Sequence, residues 1–221
     1  MPFGATIDYM HVIVTNNLTA AGPGSIRGNL VVRSGTFGLG GHQVTVDSSF
    51  RSEGAGVLKM DLPSDALNVA FDYEATGGSE VGLLTDGTLR IGRDFIQSGS
   101  TQGFFASGPH RTILNGAGQS RAQSISFESP GTSAFGVLEL ANPSVPIRLL
   151  SEVPADRIES SDAGSITAGG RLRAAQLNVF RMKLDSTIII VDEQGVARPQ
   201  LFDSVTFRHP PVGATLLSLS L

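Results

Sequence analysis

Short apolar–x–apolar triplets recur along the chain. They run from Val44-Thr45-Val46 through Leu58-Lys59-Met60, Leu67-Asn68-Val69, Leu89-Arg90-Ile91, Ile125-Ser126-Phe127, Leu138-Glu139-Leu140 and Ile147-Arg148-Leu149. They return as Leu177-Asn178-Val179, Val205-Thr206-Phe207 and Leu217-Ser218-Leu219. A period of two puts alternate side chains on opposite faces of a strand, so each triplet predicts a short strand with one face buried. Gly, Ser, Asn, Asp and Pro separate them, residues that turn a chain through their φ/ψ tolerance and local hydrogen bonding. A spacing of roughly 9 to 14 residues suits a sandwich, a barrel or a β-solenoid. One stretch, Arg171 to Asp185, puts Leu172, Ala175, Val179 and Met182 near helical spacing. It also holds Leu177-Asn178-Val179 and Met182-Lys183-Leu184, which keep the strand cadence, so strands are expected there.

An internal echo separates the candidate architectures. Residues 42–54 align without a gap on residues 87–99: Val44 falls on Leu89, Val46 on Ile91, Phe50 on Phe95 and Gly54 on Gly99, an offset of 45 residues (44 to 89). Beyond a lengthened loop, Leu67-Asn68-Val69 aligns with Ile125-Ser126-Phe127, and Gly28–Gly35 echoes the segment that starts at Gly41. Self-similarity with drifting spacing is what stacked turns allow, because insertions enter loops without breaking the stack. A β-sandwich needs no repeat and usually centres on large aromatics, whereas Trp is absent. Phe50, Phe95 and Phe127 at turn-like positions fit a narrow core. The expected fold is therefore all-β, a right-handed parallel β-solenoid with little or no helix, and a β-sandwich is the alternative. A single domain over residues 1–221 is expected, with a less regular part from about 141. There Pro143, Pro146 and Pro154 add to the interruptions at Pro109 and Pro130.

The segment Leu84-Thr-Asp-Gly-Thr-Leu-Arg-Ile-Gly-Arg-Asp-Phe-Ile-Gln-Ser-Gly99 resembles the "GTLTVGGNFTQSG" phrasing of large bacterial surface and secreted proteins. Phe105–Gly116 and Gln123–Phe127 resemble it too, and the similarity extends over Gly28 to Leu140 and more weakly to Phe207. Haemagglutinin-like and autotransporter-passenger solenoids share this phrasing. The resemblance implies stacked parallel strands, export, and an adhesive or scaffolding role on the cell surface or outside the cell. It carries no catalytic residues with it.

Composition narrows the function classes. Charged residues make up 16% of the chain, against roughly 25% in ordinary domains. An apolar share of 40% excludes a disordered chain. A net charge of −4, with cations spread singly, leaves no footprint for nucleic acid. Without cysteine there is no disulfide frame, thiolate nucleophile or cysteine-based metal site. The N-terminus lacks the basic and apolar regions of a signal peptide, so for a protein that works outside the cell the export signal is expected on a longer parent with neighbouring domains, or to have been removed. The longest strongly apolar run, Ile188 to Val191, falls far short of the ~20 residues of a membrane span.

Candidate chemistry is sparse. Parallel β-helices host polysaccharide lyases and hydrolases, which need two carboxyls about 5 to 10 Å apart. Asp72 and Glu74 alternate and would point to one side of a strand, with Asp61, Asp65, Glu80, Asp86 and Asp94 nearby. Solvated acids on an outer face are the plainer reading. The same carboxylates could take calcium, yet neither the D-x-[DN]-x-[DN]-G loop nor the glycine-rich nonapeptide occurs, and Asp61-Leu-Pro-Ser-Asp65 reads as an aspartate-capped turn. His11, His42, His110 and His209 show no zinc spacing. His110-Arg111 follows Gly-Pro and reads either as an exposed binding contact or as the first residues of a strand. No nucleophile elbow and no phosphate loop is present, since Gly38-Leu-Gly-Gly41 and Gly116-Ala-Gly118 lack the Lys-Ser/Thr that would follow. Thr45, Thr88, Thr112 and Thr206 do not form an ice-binding array. The expected role is a non-catalytic structural or adhesive module that engages glycans or surface proteins. The alternative is a carbohydrate-active protein using Asp72 and Glu74.

Overall fold

The computed structural model describes residues 8–99, 102–116, 120–142 and 144–160, and beyond them the segments 165–168, 171–179, 183–184, 189–191 and 205–207. His209, Pro143 and the triplet Leu217-Ser218-Leu219 lie outside the described residues. The strands are β1 (Asp8–Tyr9), β2 (Val12–Val14), β3 (Leu18–Thr19), β4 (Gly24–Ile26), β5 (Leu30–Gly38), β6 (Gln43–Val46) and β7 (Phe50–Lys59). There follow β8 (Ala66–Val69), β9 (Tyr73–Thr76), β10 (Thr88–Ile91), β11 (Phe95–Gln97), β12 (Arg111–Leu114), β13 (Gln123–Phe127) and β14 (Phe135–Leu140). The last are β15 (Ile147–Leu149), β16 (Glu152–Ser160), β17 (Ser165–Ala168), β18 (Arg171–Val179), β19 (Lys183–Leu184), β20 (Ile189–Val191) and β21 (Val205–Phe207). No helix occurs among the described residues, and Arg171–Val179 is strand, as its triplet cadence predicts.

All pairing is parallel and strands alternate between two sheets, so the chain winds as a β-solenoid. Sheet A follows the order β1-β4-β6-β8-β10-β12-β14-β16-β18-β20, with β21 beside β18. Sheet B follows β19-β17-β15-β13-β11-β9-β7-β5-β2, with β3 beside β5. Every described triplet lies in a strand or directly at its end, and the alternation sorts its side chains. Val44, Leu67, Leu89 and Leu138 stand in one inward column of sheet A, interrupted by Thr112. Val46, Val69, Ile91, Leu114 and Leu140 form the next column. Sheet B answers with Leu30, Phe50, Tyr73, Phe95, Ile125 and Leu149. All of these except the nearly buried Val69 are fully buried. Each turn thereby covers the apolar row of the last, about 4.8 Å along the stack.

The register explains the 45-residue echo and corrects two other alignments. Val44 pairs with Leu67 and Leu67 with Leu89, so the echo spans two turns of 23 and 22 residues. Gly54 and Gly99 both sit at positive φ, 61° and 79°: Gly54 falls at the register shift between β5 and β7 and Gly99 just beyond the end of β11, and glycine takes this left-handed conformation without steric cost. The alignment of Leu67 with Ile125 does not hold: Leu67 is in sheet A and Ile125 in sheet B. Gly28–Gly35 and the segment from Gly41 also run in opposite sheets. Every turn crosses both sheets with similar triplets, and period two does not distinguish them.

A short third wall joins the two sheets. Leu18, Phe37 and Leu58 pair across β3, β5 and β7, and the wall continues by single bridges through Met60, Leu84 and Ala106. A glycine is required where turns approach closely. A Cβ on Gly56 would lie 2.0 Å from the Val32 carbonyl oxygen. Gly56→Ala is therefore expected to force the β5–β7 backbones apart and cost about 3 kcal/mol, the upper end for overpacking. The denaturation midpoint reads this directly, and a change below about 0.5 kcal/mol would show that the turns separate freely.

Turn length varies most in the middle. Phe95 and Ile125 are paired although 30 residues apart in sequence (95 to 125). The extra chain supplies Phe104, and Phe135 follows from the next turn; both are fully buried against Phe95. Past Leu140 the pairing continues from β14 to β16 and β18. Pro154 lies inside β16, opposite Arg173.

Candidate functional site

The residue just ahead of the inward sheet B column is polar in six successive turns: His11, Asn29, Ser49, Asp72, Asp94 and Ser124. Each of the first five accepts the backbone N–H of the next. Asn29 donates to His11 Nδ1 (3.0 Å), Ser49 to Asn29 Oδ1 (3.2 Å) and Asp72 to Ser49 Oγ (3.3 Å). Asp94 donates to Asp72 Oδ1 (3.2 Å) and Ser124 to Asp94 Oδ1 (2.8 Å). The corner between the sheets has no strand partner for these N–H groups, and the side chains satisfy them turn by turn.

Asp72 is one rung of this ladder. Its Oδ1 and Oδ2 also accept the Arg93 guanidinium in a bidentate pair at 2.8 and 2.6 Å, the geometry that most firmly holds a carboxylate. Glu74 projects from the outer face of β9, beside Arg51 of the preceding turn at 3.4 Å. The two acids do share one side of the chain, since Tyr73 and Ala75 between and beyond them are buried. Both are matched with arginine. Asp94 meets Arg121 through a single contact, Oδ2 to Nη2 at 2.5 Å.

His110 and Arg111 separate at the start of β12. The His110 ring is fully buried, so it is no exposed contact, and neither ring nitrogen has a hydrogen-bond partner. Burial pushes it down to about 4, against the pull of Asp86. Arg111 lies on the outer face of sheet A, where its Nη1 meets Glu139 at 2.7 Å and Glu159 at 2.6 Å. Partial burial works against its charge, but the two carboxylates outweigh burial and hold the guanidinium above its ordinary value.

The turn at Asp61–Asp65 is capped as its sequence suggests. Asp65 Oδ2 accepts the N–H groups of Asp61 and Leu62, and Oδ1 accepts that of Gly41 at 2.7 Å. Gly41, the last residue of the Gly38–Gly41 cluster, thus spends its N–H on the protein's own carboxylate. Among the described residues no three His, Asp or Glu converge as a metal site, and no helix is long and apolar enough to cross a membrane. Thr45 and Thr88 occupy different outward rows of sheet A, and Thr112 points inward and is buried.

Glu80 is the unexpected member. It is fully buried, its Oε1 accepts the Leu58 N–H at 2.9 Å, and its Oε2 has no partner. Burial pushes the carboxyl up to about 8, opposed by the Leu58 hydrogen bond. Its only sequence signal is an acid between Gly77-Gly78-Ser79 and the apolar Val81-Gly82-Leu83-Leu84. Beside it Tyr73, fully buried and stacked between Phe50 and Phe95, carries a hydroxyl without a partner. Burial, reinforced by Glu80, raises that phenol well above its ordinary value.

No known protein family, no curated protein and no solved structure matches this chain.

Proposed function

We propose that the chain is a non-catalytic structural or adhesive module of a bacterial cell-surface or secreted protein, a stiff stack whose outer faces meet glycans or other surface proteins. One observation carries this reading: Asp72, the best placed acid for hydrolysis, has both oxygens committed to Arg93 and to the corner ladder. A general acid or nucleophile needs an oxygen free to meet the substrate. The paired charges on both sheets serve the same end, neutralising rows of like residues that stacking would otherwise bring side by side. Export and a longer parent belong to this reading through the surface-protein phrasing of residues 84–99. A glycan-binding role has one observation of its own, the exposed Phe71 ring at the same corner, with the Arg93 guanidinium 5.4 Å from its centroid.

Incubation with plant and bacterial polysaccharides, with calcium added or chelated, is expected to release no product. Turnover that vanishes in both Asp72→Ala and Glu74→Gln would overturn the non-catalytic reading; Glu74 lies outside the ladder, so its substitution leaves the corner intact. Retention on an insoluble glycan without turnover, lost in Phe71→Ala, would select glycan binding as the adhesive activity.

A further inference from the structure

In the turn between β9 and β10 the third wall is reduced to the single bridge at Leu84, and the Glu80 side chain supplies the acceptor that a strand would give Leu58. Its side chain accepts the Leu58 N–H from the turn before, and its own N–H donates to Gln102 O, 3.0 Å away in the turn after. Gln102 adopts a φ of 65°, the left-handed conformation that a side chain other than glycine rarely takes. One residue therefore ties three turns together. Its neighbours Ser79 and Val81 are exposed, Val81 by 48%, so the buried carboxyl sits one residue from solvent on both sides. Gly78 ahead of it is anchored by its N–H on Gly56 O at 3.1 Å, and Gly82, at φ 73° with open space around it, follows. The residues between these points can pivot at Gly82 without disturbing β9 or β10.

We propose that residues 79–82 are a proton-controlled latch: protonated Glu80 closes the third wall, and loss of its proton swings the segment out and opens the interior at Tyr73. A neutral carboxyl can sit in this wall with one hydrogen bond, whereas a carboxylate with an unpartnered oxygen away from water cannot. The surrounding groups offer it no counter-charge. From β9 it faces the Tyr73 hydroxyl, from β7 the Leu58 N–H, and from the following turn the Gln102 carbonyl. The charged residues at the two ends of that wall are engaged elsewhere, Lys59 with Asp61 at 2.9 Å and Glu53 with Arg33 at 2.6 Å. Burial holding the carboxyl near 8 puts the transition within reach of mildly alkaline surroundings. The device is independent of what the outer faces bind.

Amide hydrogen exchange of the full chain, corrected for the intrinsic rate, tests it. Leu58 protection is expected to fall about tenfold per pH unit between about pH 4.5 and 8 and to level off above 8, while protection in β9 and β10 holds. Glu80→Gln should keep Leu58 protected, because the amide oxygen still accepts and cannot ionise. Tyr73→Phe should leave the transition in place. Leu58 protection that is unchanged by pH, or a transition that Tyr73→Phe abolishes, would overturn the latch. Direct titration of the Glu80 carboxyl by carbon-13 NMR in the unmodified chain needs no variant to fold. A midpoint in the ordinary carboxylate range would also overturn it.

Discussion

Replacing Phe95 with alanine is expected to cost about 3 to 5 kcal/mol, the range for truncating a fully enclosed aromatic. The ring is completely buried. It stacks on Tyr73 at 5.8 Å and meets Phe104 at 4.8 Å, Phe127 at 5.0 Å and Phe135 at 4.7 Å. Four rings thus lose their common neighbour. They come from separate turns and insertions, so no single side chain can move in to fill the space. A stack is coupled mainly through adjacent turns, and the damage should show as a change in cooperativity as well as a lower midpoint. Denaturant unfolding followed by far-UV circular dichroism should split into two transitions, because the turns on either side lose their strongest link. A single transition shifted by less than about 1 kcal/mol would mean that the core relaxes around the cavity and that Phe95 is not its keystone.

Phe95 also marks how much of this fold was legible in the sequence. Its triplet neighbours, its match to Phe50 and its place in a repeat all followed from period two and self-similarity. The true period did not: the echo joined turns two apart, and Tyr73 in the intervening turn is reached only through the register. The Tyr73-Glu74-Ala75-Thr76 strand alternates more weakly than its neighbours, so a matching rule built on large aliphatics passes over it. Asp72 shows the same limit for the site. Ser49 and Asp94 were aligned by the echo, yet their common task, accepting an N–H across a corner, needs three-dimensional proximity to be seen. Glycines such as Gly56 have a second purpose beyond turning the chain, since they let one turn lie against the carbonyl of another. Glu80 was counted with the surface acids because its burial depends on a missing strand, and no local pattern records a missing strand.

Stability is expected to stay level between about pH 4.5 and 6.5 and then to fall by about 2 kcal/mol as the pH reaches 8. Two buried groups with opposite shifts produce this shape. Glu80 is held at about 8 against an ordinary 4.5, so the folded chain keeps a proton that the unfolded chain has released. Its contribution is complete below 4.5 and is lost as the pH rises through 8. His110 is held at about 4 against an ordinary 6.5, so the unfolded chain binds a proton that the folded chain refuses. That contribution is complete above 6.5 and is lost as the pH falls through 4. Each slope is about 1.4 kcal/mol per pH unit, so they cancel where they overlap, and above 6.5 only the Glu80 slope remains. Single substitutions should tilt the plateau in opposite directions. In Glu80→Gln stability should climb with pH up to 6.5 and show no decline toward 8. In His110→Leu the decline should begin near 4.5. Urea titrations at a series of pH values measure all three profiles. A decline from 6.5 to 8 that survives Glu80→Gln would place the titrating group elsewhere, whereas opposite tilts in the two variants would tie the pH response of the stack to these two buried side chains.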